Sequence, residues 1–233
     1  HSSLPAAAYT YTIPSEFRNK GFRRFGFHGI NHQHVSETVA AQWREQGKNP
    51  SQLRLISAHL GAGASLAAVK GGRCIDTTMG FTPLEGLVMA TRSGNVDPGL
   101  LLELMREGYS EDQIATILQK ESGLKGLSGL SGDMRTIREA AANGHNGAIR
   151  ALDVFRHRLL QLLGAMAASL GGVDVLALTG GIGEHDKQLK LELEKALSWW
   201  GDFLTVVIPA DEEGMIARLC QRHSETPASA AVG

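Results

Sequence analysis

Residues 53–78 constrain this chain more than any other stretch. Two short apolar runs, residues 53–58 and 65–69, flank the turn Gly61-Ala62-Gly63, and the pair Gly71-Gly72 leads into a third run at Cys74-Ile75. Apolar runs of this length, parted by glycine turns, predict a three-stranded meander. Lacking a Cβ, the glycines of the first bend let the backbone approach a ligand closely, and their N–H groups can converge on an anion. The same glycines also serve plain turn chemistry, and the bend alone does not separate the two readings. His59 stands at its lip.

A chain of 233 residues, 42% of them hydrophobic, is long enough for one large or two small domains around a real core. Its 23 basic and 24 acidic residues leave a net charge of −1, and hence no electrostatic case for nucleic acid or an anionic membrane surface. The longest uncharged stretch, residues 159–173, contains Gln161 and Ser169 and is too short to span a bilayer. Cys74 and Cys220 have neither metal nor redox spacing, which reads as reduced thiols in a cytoplasmic setting. The start carries no signal-peptide pattern. Because residue 1 is His, the chain is expected to be a piece of something longer.

Residues 1–27, with Pro5, Pro14 and aromatics from Tyr9 to Phe27, show little helical periodicity and are expected to be irregular, packed on a neighbour. Asn31 reads as the cap of a helix running to about Glu45, stopped by the cluster 47–50. Residues 79–98 have no clear period, and a loop of about twenty residues in a compact domain is commonly functional. Ser110-x-x-Gln113 is a capping-box signature for a helix at 111–120, and residues 123–132 are Gly/Ser-rich. Asp133 is placed to cap the next helix, which Gly144 ends. From 146 to 170 the apolar residues recur at helical spacing, predicting a long, largely buried helix. A strand at 173–179, a charged helix at 186–199, a strand at 204–208 and a short helix at 211–222 follow, before a Ser/Ala tail from Ser224. A meander followed by helices alternating with strands predicts an α/β fold with a mixed sheet.

Several segments can carry chemistry. The apolar run ending at Leu178-Thr179 enters Gly180-Gly181-Ile182-Gly183-Glu184, a glycine turn and helix start. Free N–H groups and a helix dipole there favour phosphate or the edge of a nucleotide, and close strand-to-helix packing would demand the same glycines. Neither Gly-Lys-Ser/Thr nor Gly-x-Gly-x-x-Gly is present, so it is neither a P-loop nor a Rossmann fingerprint. Arg92, between Thr91 and Ser93-Gly94, can offer a phosphate a planar, permanently charged fork or be an ordinary surface arginine. His28 sits among small and aromatic neighbours, where a histidine is either structural or functional. His28, His32 and His34 have no carboxylate or cysteine at ligand spacing and are not read as a metal site. Glu212 and Glu213 fall in a first helical turn, where the dipole alone favours acids and where a hard oxygen ligand for Mg²⁺ could also stand.

Together these segments resemble the acetate kinase family of the superfamily of acetate and sugar kinases, heat-shock chaperones and actin. The matching motifs are Arg24-Phe25-Gly26-Phe27-His28-Gly29, His59-Leu60-Gly61-Ala62-Gly63-Ala64-Ser65, the run from Asp76-Thr77-Thr78 through Pro83 to Leu87, and Thr91-Arg92-Ser93-Gly94. Ser122-Gly123-Leu124, Asp133-Met134-Arg135, Thr179-Gly180-Gly181-Ile182-Gly183-Glu184 and Ile208-Pro209-Ala210-Asp211-Glu212-Glu213 follow in the family's order. The resemblance implies an actin-like, ribonuclease H-like lobe with a mixed sheet, antiparallel meander plus parallel strands, flanked by helices. Residues 1–30 would lead in from an N-terminal lobe, residues 31–223 would form the nucleotide-binding and dimerisation lobe, and 224–233 a flexible tail. It implies reversible, ATP-dependent phosphorylation of a short-chain carboxylate to an acyl phosphate and ADP, with Mg²⁺ or Mn²⁺, in a cytoplasmic homodimer. By motif, His59, Leu60, Gly61, Ala62 and Gly63 would line the phosphate side of the nucleotide. Asp133, Met134 and Arg135 would meet its adenosine part together with Gly181, Ile182, Gly183, Glu184 and His185. His28 and Arg92 resemble the groups that stabilise the phosphoryl in flight, Glu212 the magnesium-site acid, and Phe27 and Pro83 part of a small pocket for the acyl methyl group. Such pockets discriminate one methylene weakly, which leaves propionate and butyrate open beside acetate.

The departures are specific. Ala62 stands where the family has an asparagine, His185 where it has an asparagine, and Asn95 where it has an aspartate. The segment 199–205 is shorter than in the family. The family's N-terminal lobe carries an asparagine, an arginine and a catalytic aspartate, so this chain alone is not expected to be a competent kinase. A non-catalytic ATP-binding module is the rival from another class, favoured by Ala62.

Overall fold

In the computed structural model, which describes residues 1–225, the meander forms as expected. Strands β1 (Arg54–Leu60), β2 (Ala64–Lys70) and β3 (Arg73–Thr77) pair antiparallel, while β4 (Val175–Thr179) and β5 (Leu204–Val207) add on the other side of β1 in parallel. The sheet order is β3-β2-β1-β4-β5, a mixed sheet with β1 at its centre. All three meander strands outrun their apolar cores, and His59 lies inside β1 rather than beyond it.

Strand side chains alternate between faces, and the alternation divides the core in two. Ile56, Ala58, Leu60, Leu66, Leu176 and Leu178 face a cluster built with Phe155, Leu159, Leu163 and Leu170 of a long helix. Leu55, Ala67, Val69, Val175 and Ala177 face a second cluster with Val35 and Val39 of another helix. Every residue of β4 is buried, as expected of a strand covered on both faces.

The helices are α1 (Ala6–Tyr9), α2 (Ser15–Asn19), α3 (Gly29–Glu45), α4 (Pro98–Arg106), α5 (Glu111–Thr116) and α6 (Gly123–Ser128). Then come α7 (Met134–Ala142), α8 (Asn146–Leu170), α9 (Gly180–His185), α10 (Lys187–Ala196) and α11 (Glu212–Glu225). The long apolar helix is α8, within the predicted bounds, and α3 carries Val35 and Val39 on the opposite face of the sheet. The capping box at Ser110 and Gln113 and the Asp133 cap both form.

Five expectations are corrected. Residues 1–27 are not wholly irregular, since α1 and α2 form there and Leu4 is buried in the second cluster. Asn31 does not cap α3: His28 does, with a left-handed backbone (φ 56°), and Asn31 is buried one turn inside. Residues 111–120 turn helical only as far as Thr116, then widen into a π-turn at Ile117–Glu121. The Gly/Ser-rich segment 123–132 contains α6, which packs on α8. The charged helix is split, with α9 starting directly at Gly180 and Asp186 capping α10 through an N–H from Leu189. Helix α4 went unread, although Asp97 accepts from Gly99 N–H and Pro98 takes the first helical position. Of the tail, Ser224 and Glu225 belong to α11, and residues 226–233 lie outside the described residues.

Candidate functional site

Register builds the site. His59 pairs with Ser65 of β2 and with Thr179 of β4, so three polar side chains stand in a row on the face toward α3. Further back along the same face the row is Leu55, Val69 and Val175, so the sheet changes from apolar to polar toward the glycine turns. Buried polar groups need partners, and α3 supplies them. Asn31 Nδ2 meets His59 Nδ1 at 2.8 Å and Thr179 Oγ1 at 3.3 Å. His32 bridges Ser57 Oγ (2.8 Å) and Ser65 Oγ (2.9 Å), and Ser65 Oγ also meets His28 Nδ1 at 2.8 Å. The rings of His28 and His59 stack, with centroids 4.1 Å apart.

The two glycine turns lie side by side. A Cβ on Gly61 would be 3.7 Å from His59 Nε2 and 3.9 Å from Gly181 N. A Cβ on Gly63 would be 3.3 Å from His28 Nε2 and 3.5 Å from Arg92 Nη1. Arg92, Ala90 and Pro83 come from the irregular segment between β3 and α4. Ala90 N–H donates to Ala62 O (3.1 Å), tying that segment to the turn, and Arg92 Nη1 donates to Pro83 O (3.2 Å). Among the described residues no carboxylate pairs with the Arg92 guanidinium, so its charge faces Gly63 uncompensated.

Behind the turns a cleft of about 890 Å³ is bordered by Gly61, Ala62, Ala90, Gly132, Asp133, Met134, Arg135, Arg138, Gly181, Ile182, His185 and Asp186. Most of the residues expected along a nucleotide thus line one cavity. Of the rest, His59 and Gly63 do not line the cleft but stand at the bend, His59 beside Gly61 and Gly63 beside His28 and Arg92, while Leu60, Gly183 and Glu184 have structural work. The Leu60 side chain is fully buried in the core, and Gly183 packs against Leu178 and Ala58. Gly180 needs its positive φ and lies too close to Leu60 O for a side chain, 2.9 Å from a would-be Cβ. Glu184 accepts from Gly180 N–H (2.9 Å) and Ala210 N–H (3.0 Å), bracing the turn to the segment that leads into α11 and Glu212. Phe27 packs half-buried against the core.

Electrostatics separate the cation from the imidazoles. Burial, then the charges of His59 and Arg92, push His28 down to about 4. Burial lowers His59 as well, against an opposing pull from Glu212 and Glu184, and lowers His32 far below its ordinary value. All three imidazoles are neutral at neutral pH, which leaves the guanidinium of Arg92 as the cation beside them. Sequence reasoning missed the roles of Asn31, Ser57 and Ser65, although Ser65 closes the motif that begins at His59, and considered His32 only as a metal ligand. It also missed Arg138, which lines the cleft while paired with Asp186 (2.7 Å) and Glu192 (3.3 Å).

A mixed α/β sheet with this order and flanking helices is an actin-like lobe, and its glycine turns open on a cleft. The sequence matches the Acetokinase family over residues 1–205, and the chain belongs to that family. Acetate kinase of Acaryochloris marina is 49% identical over 217 residues, covering 91% of this chain and 53% of that protein. Acetate kinase of Microcystis aeruginosa is 50% identical over 87% of this chain and 49% of its own length. The crystal structure of Porphyromonas gingivalis acetate kinase superposes with a TM-score of 0.90 at 37% identity, over 96% of this chain and 61% of that one. A propionate kinase from Francisella tularensis superposes with a TM-score of 0.86 at 34% identity, over 94% and 61%. The chain therefore spans about half the length of the curated relatives it matches.

The neutral histidines predict a pH signature. The folded state holds His28 at about 4 against an ordinary 6.5, so the unfolded chain takes up its proton first. Stability is fully present above pH 6.5 and is lost as the pH falls toward 4. Urea titrations across that range should show the decline, and His28→Gln should make it shallower. An identical slope in the variant would contradict the assignment.

Proposed function

We propose that this chain supplies the nucleotide-binding lobe of an acyl-group kinase that phosphorylates acetate reversibly with ATP, giving acetyl phosphate and ADP. The observation that carries the reading is the meeting of an unpaired Arg92, two neutral imidazoles and two glycine turns at one end of an open cleft. In-line phosphoryl transfer asks a protein to position the reactants and to meet charge on the equatorial oxygens, and these groups suit that task. His28 and Arg92 hold the transferring phosphoryl, while His59 and the backbone at Leu60, Gly61, Ala62 and Gly63 hold the remaining phosphates. Asp133, Met134 and Arg135 face the adenosine across from Gly181, Ile182 and His185, with Glu184 as the brace behind them. Phe27 and Pro83 border the acyl methyl group.

Mg²⁺ commonly takes one or two carboxylates and completes its shell with water and phosphate oxygens. Among the described residues no three His, Cys, Asp or Glu side chains form a metal cluster. Glu212, in the first turn of α11 and close enough for its charge to pull on His59, is the acid that would hold such an ion in this reading. The ion would neutralise charge on the bridging phosphate oxygens. The propionate kinase likeness supports a second reading, the three-carbon acid as acceptor. Cytoplasmic location belongs to the same reading, supported by two unpaired cysteines. Among the described residues no helix is long and apolar enough to cross a membrane.

Calorimetry with Mg-ATP should give saturable binding to this chain. Gly61→Val, which projects methyl groups toward Gly181, should weaken it by roughly tenfold or more, about 1.4 kcal/mol. Arg92→Ala should alter this ground-state affinity far less than it alters transfer measured in a two-lobed enzyme that carries the same change. No heat from the unaltered chain would overturn the reading.

A homodimer forms part of the proposal. Helix α4 buries none of its residues, and Leu100, Leu102 and Met105 are half exposed. Sedimentation should find a dimer that Leu102→Glu with Met105→Glu converts to monomer. A monomer at every concentration of the unaltered chain would contradict it.

A further inference from the structure

The buried polar cluster between α3 and the sheet can be read for the direction of each hydrogen bond. Ser57 Oγ is fully buried, and its one partner among the described residues is His32 Nδ1 at 2.8 Å. His32 Nε2 meets Ser65 Oγ at 2.9 Å, and Ser65 Oγ meets His28 Nδ1 at 2.8 Å. Each hydroxyl owns one hydrogen, and each neutral imidazole owns one N–H. Because a hydroxyl can also accept twice, three orders satisfy the chain.

In the first, Ser57 donates to His32 Nδ1, His32 Nε2–H donates to Ser65, and Ser65 donates to His28 Nδ1. Every hydrogen is used, and the hydrogen of His28 is left on Nε2. In the second the donors reverse, His28 carries its hydrogen on Nδ1, and the Ser57 hydroxyl hydrogen has no acceptor. In the third, His32 Nε2–H and His28 Nδ1–H both donate to Ser65, and it is the buried Ser65 hydroxyl hydrogen that has no acceptor. A buried unbonded donor is the costlier arrangement, so the first order holds.

His59 is fixed separately. The two amide hydrogens of Asn31 Nδ2 match its two partners, His59 Nδ1 and Thr179 Oγ1, and leave only the carbonyl oxygen Oδ1 unpartnered. Turned over, the same amide would bury two unbonded N–H hydrogens in place of one oxygen. Asn31 is therefore the donor, and the hydrogen of His59 also lies on Nε2.

We propose that Asn31, His32, Ser57 and Ser65 are positioning residues that lock His28 and His59 as neutral rings with hydrogen on Nε2, so that two stacked rings aim two N–H donors at the phosphoryl group. The two Nε2 atoms border the same glycine bend, His28 at Gly63 and His59 at Gly61. With the hydrogen on Nδ1 instead, each ring would turn a lone pair on the phosphate oxygens and repel them. Two cations could not stack at 4.1 Å without mutual repulsion, and burial disfavours both. Charge comes from Arg92 and direction from the imidazoles.

This inference rests on the proposed phosphoryl site, but its test does not. Long-range proton–nitrogen NMR spectra of the uniformly ¹⁵N-labelled chain distinguish protonated from bare ring nitrogens. At neutral pH, His28, His32 and His59 should each show hydrogen on Nε2 and a bare Nδ1. Ser65→Ala should release His28 into averaged tautomers while His59 stays locked, and Asn31→Ala should release His59 while His28 stays locked. Hydrogen on Nδ1 of His28 or His59, or averaging of either ring in the unaltered chain, overturns the inference. So does a His28 signal that Ser65→Ala leaves unchanged. If either variant fails to fold, the spectrum of the unaltered chain still decides. Locked tautomers in a chain that fails to bind Mg-ATP would refute the proposed function and leave the proton order standing.

Discussion

The site depends on the pairing of β1 with both of its neighbours. One register, His59 beside Ser65 and Thr179, sets a polar row at the end of a sheet whose earlier rows are apolar. A slip of one residue would turn His59 into the α8 cluster and Leu60 toward α3, burying an imidazole without a partner. The hydrophobic alternation of Leu55 to Leu60 resists that slip, because Ile56, Ala58 and Leu60 are all fully buried against α8. Core packing and site geometry therefore share a single determinant.

The electrostatic design follows from the same burial. Helix α3 closes over the polar row with Asn31 and His32, removing water and keeping the imidazoles uncharged. That leaves Arg92, held on the segment before α4 by Pro83 O and facing Gly63 without a carboxylate, as the cation of the site. A permanent charge beside neutral donors suits a phosphoryl group whose own charge is spread over several oxygens. The cleft behind it is more neutral, since Arg138 is paired with Asp186 and Glu192.

Much of this was legible in the sequence where the signal is local. Glycine turns, the Asp133 cap and the period of α8 are written in neighbouring residues, and each formed as read. Motif resemblance placed His28, His59, Arg92 and the glycines of both turns, which the structure brings to one place. The positioning residues were hidden for a physical reason: Ser57 and Ser65 are single hydroxyls in apolar strands, and only the docking of α3 on that face of the sheet brings both to His32. Asn31 misled because an asparagine near a helix start is a common cap, while the true start at His28 uses a left-handed backbone that non-glycine residues adopt uncommonly. Helix α6 was concealed by its own glycines and serines, which tertiary packing on α8 overrides.

The proposed site requires His28, His59 and Arg92 to converge on one phosphoryl position at the Gly61-Ala62-Gly63 bend. A crystal structure of the chain with Mg²⁺ and a non-hydrolysable ATP analogue would locate that position. Terminal phosphate oxygens should lie at about 3 Å from His28 Nε2 and from the Arg92 guanidinium, with the adenosine in the cleft beside Gly181. A triphosphate bound elsewhere, or one that reaches the bend with Arg92 turned away, would contradict the proposed site.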